Sequence, residues 1–233
     1  VVGNVLRRTF DTLSRYWQSF AGIALAIGAL YALVGIAFSF VFEDAVEEAN
    51  AGLDVDLGDL LGVALIGLLV TFGVSLVFNA VFVAMFRDAD ADGDPDVTRA
   101  LQLVFARFWN LLAVVVLSVI AVFVGLLLLI IPGIWMAISL VPIVAVVLFE
   151  DEGVTGTIGR SISLVRGNWW PVFGIVLLLG LLNFVLGLFT RFPGAIGLVL
   201  AVVASAINLV VQASAMYFTY DELRRQKDFT DAF

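Results

Sequence analysis

Six apolar stretches, each close to the length needed to cross a hydrocarbon core, dominate this chain: residues 20–42, 60–86, 111–131, 133–149, 172–189 and 195–218. A helix rises about 1.5 Å per residue, so about 20 apolar residues cover the roughly 30 Å of a bilayer interior. Lipid offers no hydrogen bonds, so each run must satisfy its own backbone, and an α-helix does that within a single segment. The expected fold is an all-α membrane protein with six transmembrane helices. Composition points the same way: 62% of the 233 residues are hydrophobic and 14% are charged, against about 45–50% and 25% in soluble domains.

The distribution of basic residues orients the helices. With six crossings, Arg7, Arg8, Arg15, Arg87, Arg99, Arg107, Arg160, Arg166, Arg224, Arg225 and Lys227 fall on one side and only Arg191 on the other. Cytoplasmic flanks carry the excess of Arg and Lys, so both termini are expected in the cytoplasm and the chain in the cell membrane. Pro132-Gly133 and Pro193-Gly194 then read as short outer turns. The first run has full span length, with Trp17 at its inner edge, and reads as a membrane helix, not a cleaved leader. Pro142 predicts a kink in the fourth helix.

The segments leading into the first, third and fifth spans resemble one another. Leu6, Phe10, Leu13 and Trp17 stand at the same helical offsets as Val97, Leu101, Val104 and Phe108, and as Ile158, Ile162, Val165 and Trp169. Each copy has an arginine early (Arg8, Arg99, Arg160), another late (Arg15, Arg107, Arg166), and an aromatic pair where the span begins: Tyr16-Trp17, Phe108-Trp109 and Trp169-Trp170. Arginines on a wet face with aromatics at the acyl boundary describe a helix lying in the headgroup layer. Interfacial helices are therefore expected at about 4–17, 95–108 and 155–169, each followed by a transmembrane hairpin, giving three repeats within one membrane domain. Asp94-Pro95 and Thr155 or Thr157 supply helix-start signals for the second and third copies. The arginines and tryptophans are candidate contacts for membrane lipids, or for other membrane protein subunits docking on a cytoplasmic collar.

Much chemistry is excluded. The chain has neither Cys nor His, which removes disulfides, the usual zinc sites, an imidazole base and a thiol nucleophile. No Asp, Glu, Lys or Arg lies inside the six runs, which argues against an ion-coupled pump. The net charge of −8 argues against nucleic acid as a partner. No cofactor is expected, and the chain reads as no enzyme. Acidic loops in which arginine replaces all lysines but Lys227 resemble the membrane proteins of halophilic archaea.

Some residues remain as candidates. Asn79, Asn183, Asn208 and Gln212 are polar at membrane depth. They either join helices or line a cavity, and the second use would suit a permease or small channel. Thr71, Ser75 and Asn79 share one helical face, as do Asn208 and Gln212. Asp88, Asp90 and Asp92 with Gly93 match the opening of a calcium loop, but Arg99 stands where the closing glutamate belongs; a salt-adapted surface is the better account, and no metal is expected beyond weak cation association there. The outer segment 43–59 holds seven acidic residues and no basic one. Arg191 is the candidate for an anionic group on that side. Gly174, Gly180 and Gly187 allow close helix contacts within the bundle or between subunits.

Residues 126–182 carry a family resemblance. Ile131-Pro132-Gly133-Ile134-Trp135, the acidic Glu150, Arg160-Ser161 and Arg166-Gly167-Asn168-Trp169 resemble the membrane domain found beside glycerophosphoryl diester phosphodiesterases and in related integral membrane proteins. The close likeness covers about a quarter of the chain. It implies a six-helix membrane module. The family's catalysis resides in a separate soluble domain using His, Glu and a metal, so hydrolase activity is not implied. The sequence thus leads to a non-enzymatic membrane protein with a structural, lipid-organising or accessory role, and a permease as the alternative.

Overall fold

The computed structural model describes residues 1–50, 57–91, 93–189 and 192–231, apart from the side chains of 37–39, 41–50, 57, 59, 60, 63, 230 and 231. Among the described residues the fold is all-α, with nine helices: α1 (Val2–Asn50), α2 (Leu57–Ala91), α3 (Val97–Ala106), α4 (Phe108–Leu128), α5 (Ile130–Ser139), α6 (Ile143–Phe149), α7 (Val154–Val165), α8 (Trp169–Phe189) and α9 (Gly194–Asp231). Six of their segments are long and apolar enough to cross a membrane, α5 and α6 together forming the fourth. The protein is a multi-pass membrane protein.

The same order of elements occurs three times: a short amphipathic helix, a bend, a long helix and a returning helix. The first bend lies inside α1, where Tyr16 leaves helical geometry (φ −116°, ψ 21°). The second is Arg107 (φ −111°, ψ 11°), between α3 and α4. The third is Arg166-Gly167-Asn168, between α7 and α8, where Gly167 takes φ +90°, a left-handed conformation open to glycine at no steric cost. The second and third bends directly precede their aromatic pairs, and the first falls on Tyr16, within its own pair. Asp96 starts α3 by accepting from the backbone N–H groups of Thr98 and Arg99 at 2.7 and 3.3 Å, one position after the Asp94-Pro95 signal.

Two expectations about the fourth span are corrected. The chain reverses at Leu129, which is extended (φ −161°, ψ 137°); Pro132 and Gly133 lie in the first turn of α5. A proline costs nothing there, because the first N–H groups of a helix have no intrahelical acceptor. Gly133 lies against α4 so closely that a Cβ would come within 2.6 Å of the Leu126 backbone nitrogen. Pro142 does more than kink the span: α5 ends at Ser139 and α6 begins at Ile143, because proline donates no hydrogen bond and its ring crowds the preceding turn. The break leaves the Ser139 carbonyl accepting from the Ser161 hydroxyl of α7 at 2.9 Å, with both serines buried.

The core centres on the second half of α2, where every residue from Ala80 to Phe86 is buried, and on α6, buried from Ile143 to Leu148. Phe86 stacks on Phe20 of α1 at 4.4 Å and meets Phe218 of α9 edge-on at 6.0 Å. α1 and α9 run together, and Gly28 lets them close: a Cβ there would stand 2.6 Å from the Val202 carbonyl oxygen. Lipid supplies no hydrophobic drive between helices, so close backbone approach of this kind holds them together.

The repeated apolar stripe does not face the same surroundings in each copy. In α3 and α7, Val97, Leu101, Ile158 and Ile162, the counterparts of Leu6 and Phe10, lie partly buried against the core. In α1, by contrast, Val5 and Thr9 are buried, while Leu6, Phe10 and Trp17 point outward.

Candidate functional site

The N-terminus, the described end of α9 and the described basic residues that form ion pairs gather at one end of the bundle, where the lead-in segments meet a continuation of α9 beyond its apolar run. Three arginines organise this basic end as a collar. Arg8 of α1 donates to Asp90 at the end of α2 (2.7 Å) and to Asp221 of α9 (2.6 Å), with its guanidinium 4.6 Å above the Phe218 ring. The Tyr217 hydroxyl donates to the same Asp90 at 3.1 Å, and Arg225 closes on Asp221 at 2.8 Å. One planar guanidinium thereby joins three helices, a geometry that a lysine point charge cannot reproduce.

Arg107, at the second bend, donates to the carbonyls of Val147 (3.0 Å) and Glu150 (2.8 Å) and pairs with Asp151. It caps the C-terminus of α6, where free carbonyls and the helix dipole favour a cation. Glu150 accepts from Arg160 Nε at 2.7 Å and from the Tyr220 hydroxyl at 3.0 Å. Lys227 reaches the Ser163 carbonyl of α7 at 3.2 Å, and Arg99 lies 3.9 Å from Asp88. The first, second and third lead-in segments are thus each fastened to another element of the bundle.

Of the expected interfacial residues, Arg8, Arg107 and Arg160 turn inward, whereas Arg15 and Arg166 face outward. Trp17, Trp109 and Trp170 are 59%, 78% and 74% exposed, so each bend displays one tryptophan on the outer surface. Trp169 instead stacks flat on Phe173 at 5.4 Å. Arg191 lies outside the described residues, as do the acidic side chains of 43–59.

The acidic residues of the calcium-loop match are separated in the fold. Asp88 and Asp90 belong to the last turns of α2, where residues two apart point in different directions, and each faces an arginine. Asp92 lies outside the described residues. Among the described residues no three His, Cys, Asp or Glu side chains come together as a metal site.

The polar residues at membrane depth divide. Asn79 and Gln212, with Ser75 and Ser118, line a groove of about 590 Å³ between α2, α4, α9 and the α5–α6 break. Asn208 stands behind it, accepting from Gln212 Nε2 at 2.9 Å. Asn183 lies elsewhere, exposed on α8, and Thr71 belongs to a separate groove between α1 and α2. Asn183 and Asn208 thus do not line the groove that holds Asn79 and Gln212.

Sequence reading missed Tyr217, Tyr220, Asp221 and Glu150 as members of the collar. Their signal was the continuation of helical spacing past residue 218, which places Tyr217, Asp221, Arg224 and Arg225 within reach of one another along α9.

Fold and collar together define an all-α, six-span membrane protein whose lead-in helices are fastened by ion pairs at one end. More particularly, the chain belongs to the family of unknown function DUF7544, which matches it over residues 5–226. No curated protein and no solved structure matches it.

Proposed function

We propose that this chain is a non-enzymatic integral membrane protein with a structural, lipid-organising role, able to serve as an accessory subunit beside other membrane proteins. The observation that carries this reading is the division of labour at the basic end: Arg8, Arg107 and Arg160 are used up in holding the bundle, while Trp17, Trp109 and Trp170 face outward beside the bends of the three repeats. Amphipathic tryptophans so placed fix a protein's height in the headgroup layer. The grooves between helices are lined mainly by apolar side chains and open sideways, which suits lipid chains. The basic bias supports cytoplasmic termini in the cell membrane, and the acidic surplus with a single lysine supports a halophilic, archaeal host.

A second reading, a permease for a small solute, is supported by the α5–α6 break beside the groove of Asn79 and Gln212, since interrupted helices often line substrate paths. The likeness of residues 126–182 to the phosphodiesterase-associated membrane domain concerns membrane architecture and brings no hydrolase chemistry with it.

Reconstitution separates the two readings. Vesicles holding the full chain should show altered acyl-chain order by a membrane-order dye while passing glycerol and potassium no faster than empty vesicles. Accelerated flux that disappears in Asn208→Leu overturns the structural reading in favour of the permease.

A further inference from the structure

The groove between α2, α4, α9 and the α5–α6 break has an unusual chemical balance. Phe72, Val119, Phe123 and Leu126 line it and are exposed at the bundle surface, so its mouth opens sideways toward the acyl chains. Its inner wall holds four polar side chains and, among the described residues, no charged one. Asn79 Oδ1 is buried there with no hydrogen-bond partner. The Ser118 hydroxyl spends its proton on the Val114 carbonyl at 2.7 Å, leaving its oxygen as an acceptor, and Gln212 turns its amide nitrogen away to Asn208 at 2.9 Å. The wall therefore presents an unpaired acceptor, Asn79 Oδ1, beside two groups whose donors are already spent.

A buried acceptor left unpaired costs about 1–3 kcal/mol, so the occupant that fits must donate a hydrogen bond. It must also be neutral, because a buried cation without a carboxylate is strongly disfavoured. Depth narrows the class further. From the rise per residue, Asn79, Ser118 and Gln212 stand about 9–11 Å inside the apolar-run ends at Phe86, Leu111 and Phe218, below the level of a charged headgroup. Quinones and ketones, which only accept, would leave Asn79 Oδ1 unpaired.

We propose that this groove binds a neutral lipid bearing a free hydroxyl group, a long-chain alcohol, whose hydroxyl donates to Asn79 Oδ1 while its chain leaves between α2 and α4. The proposal deepens the lipid-organising reading by naming a ligand class. It can fail, with membrane ordering intact, if the groove holds only water.

The test uses the full chain in detergent, with oleyl alcohol compared against octadecene, the same chain without the hydroxyl, and binding followed by native mass spectrometry. Saturable one-to-one binding of the alcohol is expected, at least tenfold tighter than the hydrocarbon. Asn79→Leu should weaken it about tenfold, the effect of one lost hydrogen bond. Val119→Trp, a change at the exposed mouth that leaves the core untouched, should block it. Equal affinity for the two probes, no binding of the alcohol, or binding unchanged in both variants overturns the proposal.

Discussion

Arg8 and Asp90, 82 positions apart in the chain, meet at 2.7 Å where the first lead-in helix crosses the end of α2. Both side chains are about three-quarters buried, at 23% and 24% exposure. The pair depends on a third group: Asp221 takes the other guanidinium nitrogen at 2.6 Å, so that one cation balances two carboxylates from different helices.

Removing that cation should therefore do more than delete one contact. Arg8→Ala leaves Asp90 and Asp221 facing each other with only Arg225 nearby, and should destabilise the detergent-solubilised protein by about 2 kcal/mol, below the 3–5 kcal/mol of a fully buried pair because water still reaches the site. A double-mutant cycle of Arg8→Ala with Asp90→Asn, followed by thermal unfolding, should give a coupling energy of at least about 0.5 kcal/mol. Strict additivity would show that the collar does not hold the helices.

Arg107 makes a prediction about one short helix. Its guanidinium caps α6 through the Val147 and Glu150 carbonyls, so Arg107→Ala should accelerate amide hydrogen exchange in Ile143–Phe149 by at least about tenfold, equivalent to about 1.4 kcal/mol of local stability. Arg107→Lys should restore only part of the protection, since an ammonium cannot satisfy all three acceptors in one geometry. Exchange that stays at the wild-type rate in the alanine variant refutes the capping role.

Two glycines of α1 should respond in opposite ways. At Gly28 an added Cβ meets the Val202 carbonyl oxygen at 2.6 Å, a backbone atom of α9 that cannot swing aside, whereas nothing lies within 4 Å at Gly22. Gly28→Ala should cost about 1–3 kcal/mol through the forced separation of the helices. Gly22→Ala should be neutral or stabilising by up to about 1 kcal/mol through helix propensity. Chemical or thermal unfolding of the two variants side by side checks the packing of α1 on α9.

The topology can be read with thiols, since the chain has no cysteine of its own. Arg15→Cys and Arg166→Cys, both outward at the basic end, should react with an impermeant maleimide only when the cytoplasmic side is accessible. Phe192→Cys, at the opposite end, should react only from outside. Labelling of Arg15→Cys and Phe192→Cys from the same side contradicts the six-span arrangement.

Much of the architecture was legible because lipid imposes a simple rule. A run of apolar residues near span length must be helical, and 172–189 and 195–218 emerge inside α8 and α9 with little adjustment. The three lead-in helices were legible too, since arginine and aromatic offsets repeat regardless of packing. The fourth span was read less well: the sequence marks Pro142, but whether a proline bends a helix or divides it depends on neighbours able to accept the freed groups, and here Ser161 of α7 accommodates the Ser139 carbonyl.

Charge and apolar patterning alone determined that this protein lives in a bilayer, how many times it crosses, and that its charges lie outside the apolar runs. Those properties follow from transfer energies, which each segment obeys by itself. Only the tertiary structure decided which surface each stripe meets. Leu6 and Phe10 face outward where Val97, Leu101, Ile158 and Ile162 of the sister copies pack against the core, because apolar side chains are accepted equally by lipid and by protein. It likewise decided the role of the arginines. A guanidinium at the membrane surface can bind a phosphate or a carboxylate, and Arg8 finds Asp90 and Asp221 only because α1, α2 and α9 end together.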